Sequence, residues 1–76
     1  MADAKLLQMI RNTSGRTQEA LRAILGFRRG QVSEQSMRSA VYKYAKQLLN
    51  IIPQYFGNTS TDEDTTKVLG QLIYGR

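Results

Sequence analysis

A chain of 76 residues with no cysteine and no histidine has room for one domain, residues 1–76, and nothing covalent to staple it. That composition excludes disulfides, zinc fingers, iron–sulfur clusters and every His- or Cys-based catalytic device. The formal charge is +5, and it is unevenly spread: residues 1–61 carry nine basic and three acidic side chains, residues 62–76 two basic and three acidic.

Every element reads as helix, because no stretch alternates apolar and polar residues with β-branched enrichment. A first helix is expected near 3–12, with Leu6, Leu7, Met9 and Ile10 on its apolar face and Asp3 at the end where the helix dipole favours negative charge. Asn12-Thr13-Ser14-Gly15 ends it with residues that bond their own backbone. A second helix near 16–29 starts from Ser14 or Thr17 as cap, with Glu19 in its first turn. Its apolar residues, Ala20, Leu21, Ala23, Ile24, Leu25 and Phe27, cover roughly 200° at the helical repeat. So wide a face calls for partners on more than one side. Arg28 and Arg29 close the helix, and Gly30 follows as its stop.

The third helix, expected near 34–52, carries the strongest pattern and reads as the central element. Ser33 caps it, and Val32 before the cap is spaced to pack on Met37. Met37, Val41, Tyr44, Leu48 and Ile51 then recur at helical spacing, widened by Ala40, Ala45 and Ile52. Pro53 ends or kinks this helix, although Tyr55 and Phe56 keep its register as far as Gly57. After a loop at Asn58-Thr59-Ser60-Thr61, the Ser60-Thr61-Asp62-Glu63 run matches a capping box for a fourth helix near 61–74. Val68, Leu69, Leu72 and Ile73 form its buried face and Gly75 stops it. The acidic triplet Asp62-Glu63-Asp64 reads as a helix start, because adjacent helical residues point in different directions and suit a metal poorly.

The expected fold is therefore all-α, a compact bundle of four short helices. Its expected core is Leu6, Ile10, Leu21, Ile24, Phe27, Met37, Val41, Tyr44, Leu48, Ile51, Leu69, Leu72 and Ile73.

For function, the inventory points away from an enzyme, a cofactor or a metal: there is no phosphate-cradling glycine loop and no pair of carboxylates on a shared helix face. It points toward polyanions. Arg38, Lys43 and Lys46 fall on the non-core arc of the third helix, interleaved with Tyr42 and Gln47, and Arg28 and Arg29 extend this basic surface from the second. Arginine and lysine neutralise phosphates, glutamine bonds base edges and tyrosine stacks. The leading expectation is a nucleic-acid-binding or regulatory protein of the small basic kind found on mobile elements. Helix, glycine-containing turn and helix from Thr17 to Gln47 invite comparison with a helix-turn-helix, but a third helix of about eighteen residues is long for a recognition helix.

The alternative is an adaptor, inhibitor or structural subunit that meets a protein partner through a helix face. Tyr42, Leu49, Tyr55, Phe56 and Tyr74 lie beyond the main apolar stripes and suit that role. A thin core also points to a homo-oligomer or larger complex. No apolar run approaches the roughly 18 residues of a membrane span, no signal-peptide core precedes Arg11, and a cytoplasmic location is expected.

Overall fold

Five helices follow one another through short turns: α1 (Ala2–Asn12), α2 (Gly15–Arg28), α3 (Glu34–Lys43), α4 (Ala45–Phe56) and α5 (Asp62–Tyr74). The computed structural model describes residues 2–57 and 60–75. Asn58 and Thr59 of the expected second loop lie outside the described residues, as does Arg76. No strand occurs among the described residues, so the all-α class stands, with five helices in place of four.

The turn between α1 and α2 is closed by its own Thr13 and by Gln18 of α2. Thr13 Oγ1 donates to Met9 O at 2.9 Å, and Gln18 Nε2 donates to Ile10 O at 2.7 Å and Thr13 O at 3.0 Å. These bonds take up carbonyls that the end of α1 leaves without intrahelical partners. Ser14 occupies the cap position of α2 in extended backbone, but its side chain makes no capping bond, and the first turn holds no acid; Glu19 falls beyond it.

The bundle is organised around α2, not around the third helix as its pattern suggested. Ala20, Leu21, Ile24, Leu25 and Gly26 are buried, and α2 packs against α1, α3 and α5. Its broad apolar face is wide because it has three neighbours to meet.

The turn after α2 is tightly specified. Gly30 adopts φ +76°, its N–H donates to Phe27 O at 3.1 Å, and Gln31 N–H reaches back to Gly26 O at 2.7 Å. This pair of bonds satisfies the last carbonyls of α2, and the left-handed residue suits glycine. Val32 then folds over Gly26, so closely that a Cβ built on Gly26 would stand 2.6 Å from Val32 Cγ2. Ser33 caps α3 by accepting from Ser36 N–H at 3.2 Å. The chain thus returns along α2, and Arg16 at the start of α2 meets Tyr44 at the end of α3.

The expected third helix is two helices, and this is the main correction to the sequence reading. Tyr44 leaves helical backbone (φ −124°, ψ 24°); its N–H bonds Val41 O at 3.1 Å and its carbonyl accepts Leu48 N–H at 3.0 Å, ending α3 and opening α4. A straight helix from Glu34 to Phe56 would be about 34 Å long. The whole molecule measures 32 × 25 × 22 Å. Its second half would overhang α2 with its apolar stripe in water. The break turns Leu48 and Ile52 back into the core and lays α4 against α5.

Pro53 does not end the helix. It sits inside α4, exposed, and removes one backbone bond in a segment that runs on to Phe56 before Gly57 stops it at φ +33°. The cap of α5 is also shifted by one residue: Thr61, not Ser60, accepts from Asp64 N–H at 3.1 Å, while Ser60 Oγ donates to the Asp64 carboxylate at 3.2 Å.

The core comprises Leu6, Met9, Ile10, Ala20, Leu21, Ile24, Leu25, Met37, Val41, Leu48, Ile52, Leu69, Leu72 and Ile73. Phe27, Tyr44 and Ile51, expected inside, are partly buried at its edge. Ile52 takes the place of Ile51 because the break resets the phase of the stripe. The Cα radius of gyration is 11.2 Å, against about 11.4 Å for a compact domain of this length.

Candidate nucleic-acid interface

The basic residues fall into two groups: those held by other parts of the chain, and those left facing solvent. Arg28 belongs to the first. It is the most buried of the ion-paired cations, its side chain 13% exposed. Nε pairs with the Asp3 carboxylate, and Nη1 donates to the carbonyls of Gly75 at 2.6 Å, Leu72 at 3.0 Å and Ile73 at 3.4 Å. A planar fork of donors meets the carbonyls at the end of α5, where the helix dipole places negative charge. The sequence put Arg28 at the margin of a binding surface; the structure places it at the junction of α1, α2 and α5.

Arg38 is engaged in a different way. Nε and Nη2 donate to Tyr74 Oη at 3.0 and 2.8 Å, Tyr74 Oη donates to Glu34 Oε2 at 2.8 Å, and Arg38 Nη2 lies 3.7 Å from the same carboxylate. The guanidinium also stands 5.9 Å from the centre of the Tyr74 ring, which packs edge-on against Phe27. The Tyr74 hydrogen bond, then the charges of Tyr74 and Glu34, hold the Arg38 pKa above its usual value. Half-exposed as it is, this cation has a carboxylate neighbour and contributes little net field.

The other flank of α3 is open. At 100° per residue, Arg38 and Lys43 stand about 140° apart around α3, with Tyr42 and Ser39 between them. Lys43 faces a groove between α2 and α3 with a volume of about 490 Å³, lined also by Arg16, Glu19, Ala20, Ser39, Ala40 and Tyr44. Ala20 and Ala40 are the small side chains in its lining, beside the cations Arg16 and Lys43. Arg16 Nη1 donates to Tyr44 Oη at 2.9 Å, a bond that fixes the guanidinium at the groove's end and, with the charges of Tyr44 and Glu19, raises its pKa. Glu19 is the one acid lining the groove.

Tyr42, on the outer face of α3, is 68% exposed, the most exposed large apolar side chain among the described residues. Lys46 and Gln47 are exposed too, but they lie past the break, on α4. The continuous basic face expected from Arg38 to Gln47 is therefore divided at Tyr44. Arg29, exposed at the α2 end of the turn, lies at the far end of the hairpin from Lys43.

The sequence reading passed over Arg16. Its signal is there once the hairpin is recognised: residues equally distant from the turn at Gly30 face each other, and Arg16 reflects onto Tyr44.

Removing the ion-paired residues from the charge count leaves a pattern. Asp3 is taken by Arg28, Glu34 by Arg38 and Glu63 by Lys67. What remains among the described residues is Lys5, Arg11, Arg16, Arg22, Arg29, Lys43 and Lys46, against Glu19 and the Asp62 and Asp64 carboxylates at the start of α5. The uncompensated positive charge lies on α1 to α4. No protein-family model, curated protein or solved structure matches the chain.

Proposed function

We propose that the protein is a non-enzymatic nucleic-acid-binding protein that holds phosphates on the α2–α3 hairpin. The observation that carries this reading is the open groove with Arg16 and Lys43 on its walls, in a molecule whose acids are largely paired or gathered at α5. Lys43, which makes no ion pair among the described residues, attracts a polyanion that releases its counterions, and Arg16 adds to that field beside Glu19. Lys46 and Gln47 extend the contact along α4, Arg29 flanks it at the turn, and Arg28 and Arg38 support it structurally. A regulatory role, a cytoplasmic setting and assembly into a homo-oligomer go with this reading. Light scattering across a hundredfold range of concentration tests the last of these; a constant monomer mass would remove it.

The test is a salt titration. Binding of the wild type to nucleic acid should weaken linearly on a log–log plot, by about 0.7 to 0.9 per phosphate contacted. Replacing Arg16 and Lys43 together by alanine should make that slope shallower by roughly 1.5 units without altering helicity. No binding at low salt, or an unchanged slope, would end the proposal. A protein-docking role would then lead, favoured by the half-buried Leu49, Ile51, Tyr55 and Phe56 on α4.

A further inference from the structure

Taking nucleic-acid binding as given, the hairpin also says which form of nucleic acid suits it. Two observations bear on this: where the free cations sit along α3, and what lies between them and solvent.

A helix that reads a duplex presents its first turns to the base edges, with phosphates on either side. The first turn of α3 begins with Glu34, whose carboxylate is locked to Tyr74 and Arg38. A duplex docked there meets a fixed negative charge, and the nearest cation is already engaged. The uncompensated cation of α3 is Lys43, at the opposite end, and it faces the groove rather than the outer surface.

The groove and its margin have the parts that a single strand needs. Single-strand binders combine a positive groove that follows the backbone with an exposed aromatic ring on which a base stacks. Arg16 and Lys43 supply the first. Tyr42 supplies the second: it adjoins Lys43 in sequence and is 68% exposed. On the helical wheel Ser39 and Gln35 lie between Tyr42 and Lys43, with Gln35 two turns before Tyr42 along the helix, so a strand leaving the groove crosses the small hydroxyl side chain of Ser39 before reaching the ring. The ring of Tyr42 is open to solvent over most of its surface, leaving room for an unpaired base.

We infer that the ligand is single-stranded nucleic acid, its backbone lying in the α2/α3 groove between Arg16 and Lys43 and one base stacked on Tyr42. A stacked base is sequence-tolerant, since every base has a flat face, so the expected preference is for strandedness and not for sequence.

The experiment compares labelled oligonucleotides of about 12 nucleotides, single-stranded and as duplex, by fluorescence anisotropy at low salt, a length within the usual single-strand site sizes. The intact chain should bind the single strand at least several-fold more tightly. Tyr42→Ala should weaken single-strand binding by about 5- to 50-fold and leave duplex binding unchanged, while Tyr42→Phe, which keeps the ring, should restore it. Circular dichroism should show all three proteins equally helical, because Tyr42 stands outside the core. Equal affinity for both forms, or a silent Tyr42→Ala, would overturn the single-strand inference while phosphate binding on the hairpin stands. Absence of binding to either form would overturn the underlying reading as well.

Discussion

The two flanks of α3 carry the same kind of side chain to opposite ends. On one, Arg38 lies against Tyr74 and Glu34 and ties α3 to the end of α5. On the other, Lys43 lines a groove shared with Arg16 and makes no ion pair among the described residues. Arg28 takes the first pattern further, and is largely buried. A positive charge in this protein is therefore either taken up by the fold or left open to solvent, and the two classes separate by what surrounds the cation rather than by its position in the chain. Sequence-wise, Arg28 and Arg29 are indistinguishable neighbours; in space, one is a clamp and the other is exposed.

The sharpest test of that division is Arg28→Ala. It leaves Asp3 without its cation and removes the Nη1 group that three carbonyls at the end of α5 share. Hydrogen bonds from a charged donor contribute about 1.5 to 3 kcal/mol, and the exposure of Asp3 trims its share, so the loss should be roughly 2 to 3 kcal/mol. In a domain of this size, that lowers the melting temperature by about 10 to 20 °C. Nucleic-acid affinity, measured well below the new midpoint, should change little. A stable Arg28→Ala protein that has lost binding would invert the assignment.

Next comes the turn that sets the hairpin. Gly26→Ala gains helix propensity, but its Cβ meets Val32 Cγ2 at 2.6 Å, and Val32 has few ways to yield. Overpacking costs about 1 to 3 kcal/mol against a propensity gain of up to 1, so denaturant titration should show a net loss. Gly70 is the control: it too lies within a helix, but a Cβ there meets nothing within 4 Å. Gly70→Ala should stabilise by about 0.5 to 1 kcal/mol.

A smaller effect is expected from Arg38→Ala. Its ion pair is half-exposed and screened by solvent, so it contributes little to stability. Chemical denaturation should barely separate the variant from the wild type, and the slope of the salt titration should stay within about half a unit of the wild type. A loss in slope as large as that of Lys43→Ala would show that the Arg38 flank also binds.

The smallest effect is pH. Arg16 and Arg38 are both raised above an already high value. Raised folded pKa values add stability that is complete at all lower pH and disappears only as pH climbs through the folded value, far into alkali. With no histidine or cysteine to titrate near neutrality, the melting temperature should stay flat between about pH 6 and 8. A shift of more than a few degrees would point to a group whose folded pKa lies displaced into that range.

Much of the architecture was legible in the residues. Ser33 announced a helix start and Gly30 a left-handed stop, because each depends on chemistry within a few positions of itself. The wide apolar face of α2 announced a helix with several neighbours. The break at Tyr44 was not legible. Nothing between Val41 and Leu48 disrupts a helix, and the apolar spacing runs straight through; what bends the chain is the length of α2 and the need to cover Leu48 and Ile52. Pro53, the obvious breaker, turned out to be tolerated one turn before the helix end. The candidate site was legible in part: Tyr42 and Lys43 were named, whereas the fate of Arg28 and the arrival of Arg16 depend on contacts 25 and 28 residues away.

The clamp at Arg28 has a topological consequence. One guanidinium holds both residue 3 and residue 75, so the two extremities of the described fold lie within a few ångströms of a common point. A short flexible linker is enough to join head to tail, and the chain can be reopened beside Ser14, an exposed position whose side chain makes no capping bond. Such a circular permutant keeps all five helices and every contact of the clamp while placing new ends at the start of α2, beside Arg16. The permuted protein should fold to the same bundle, and its new ends give the α2/α3 groove a tether point for a label or a second domain.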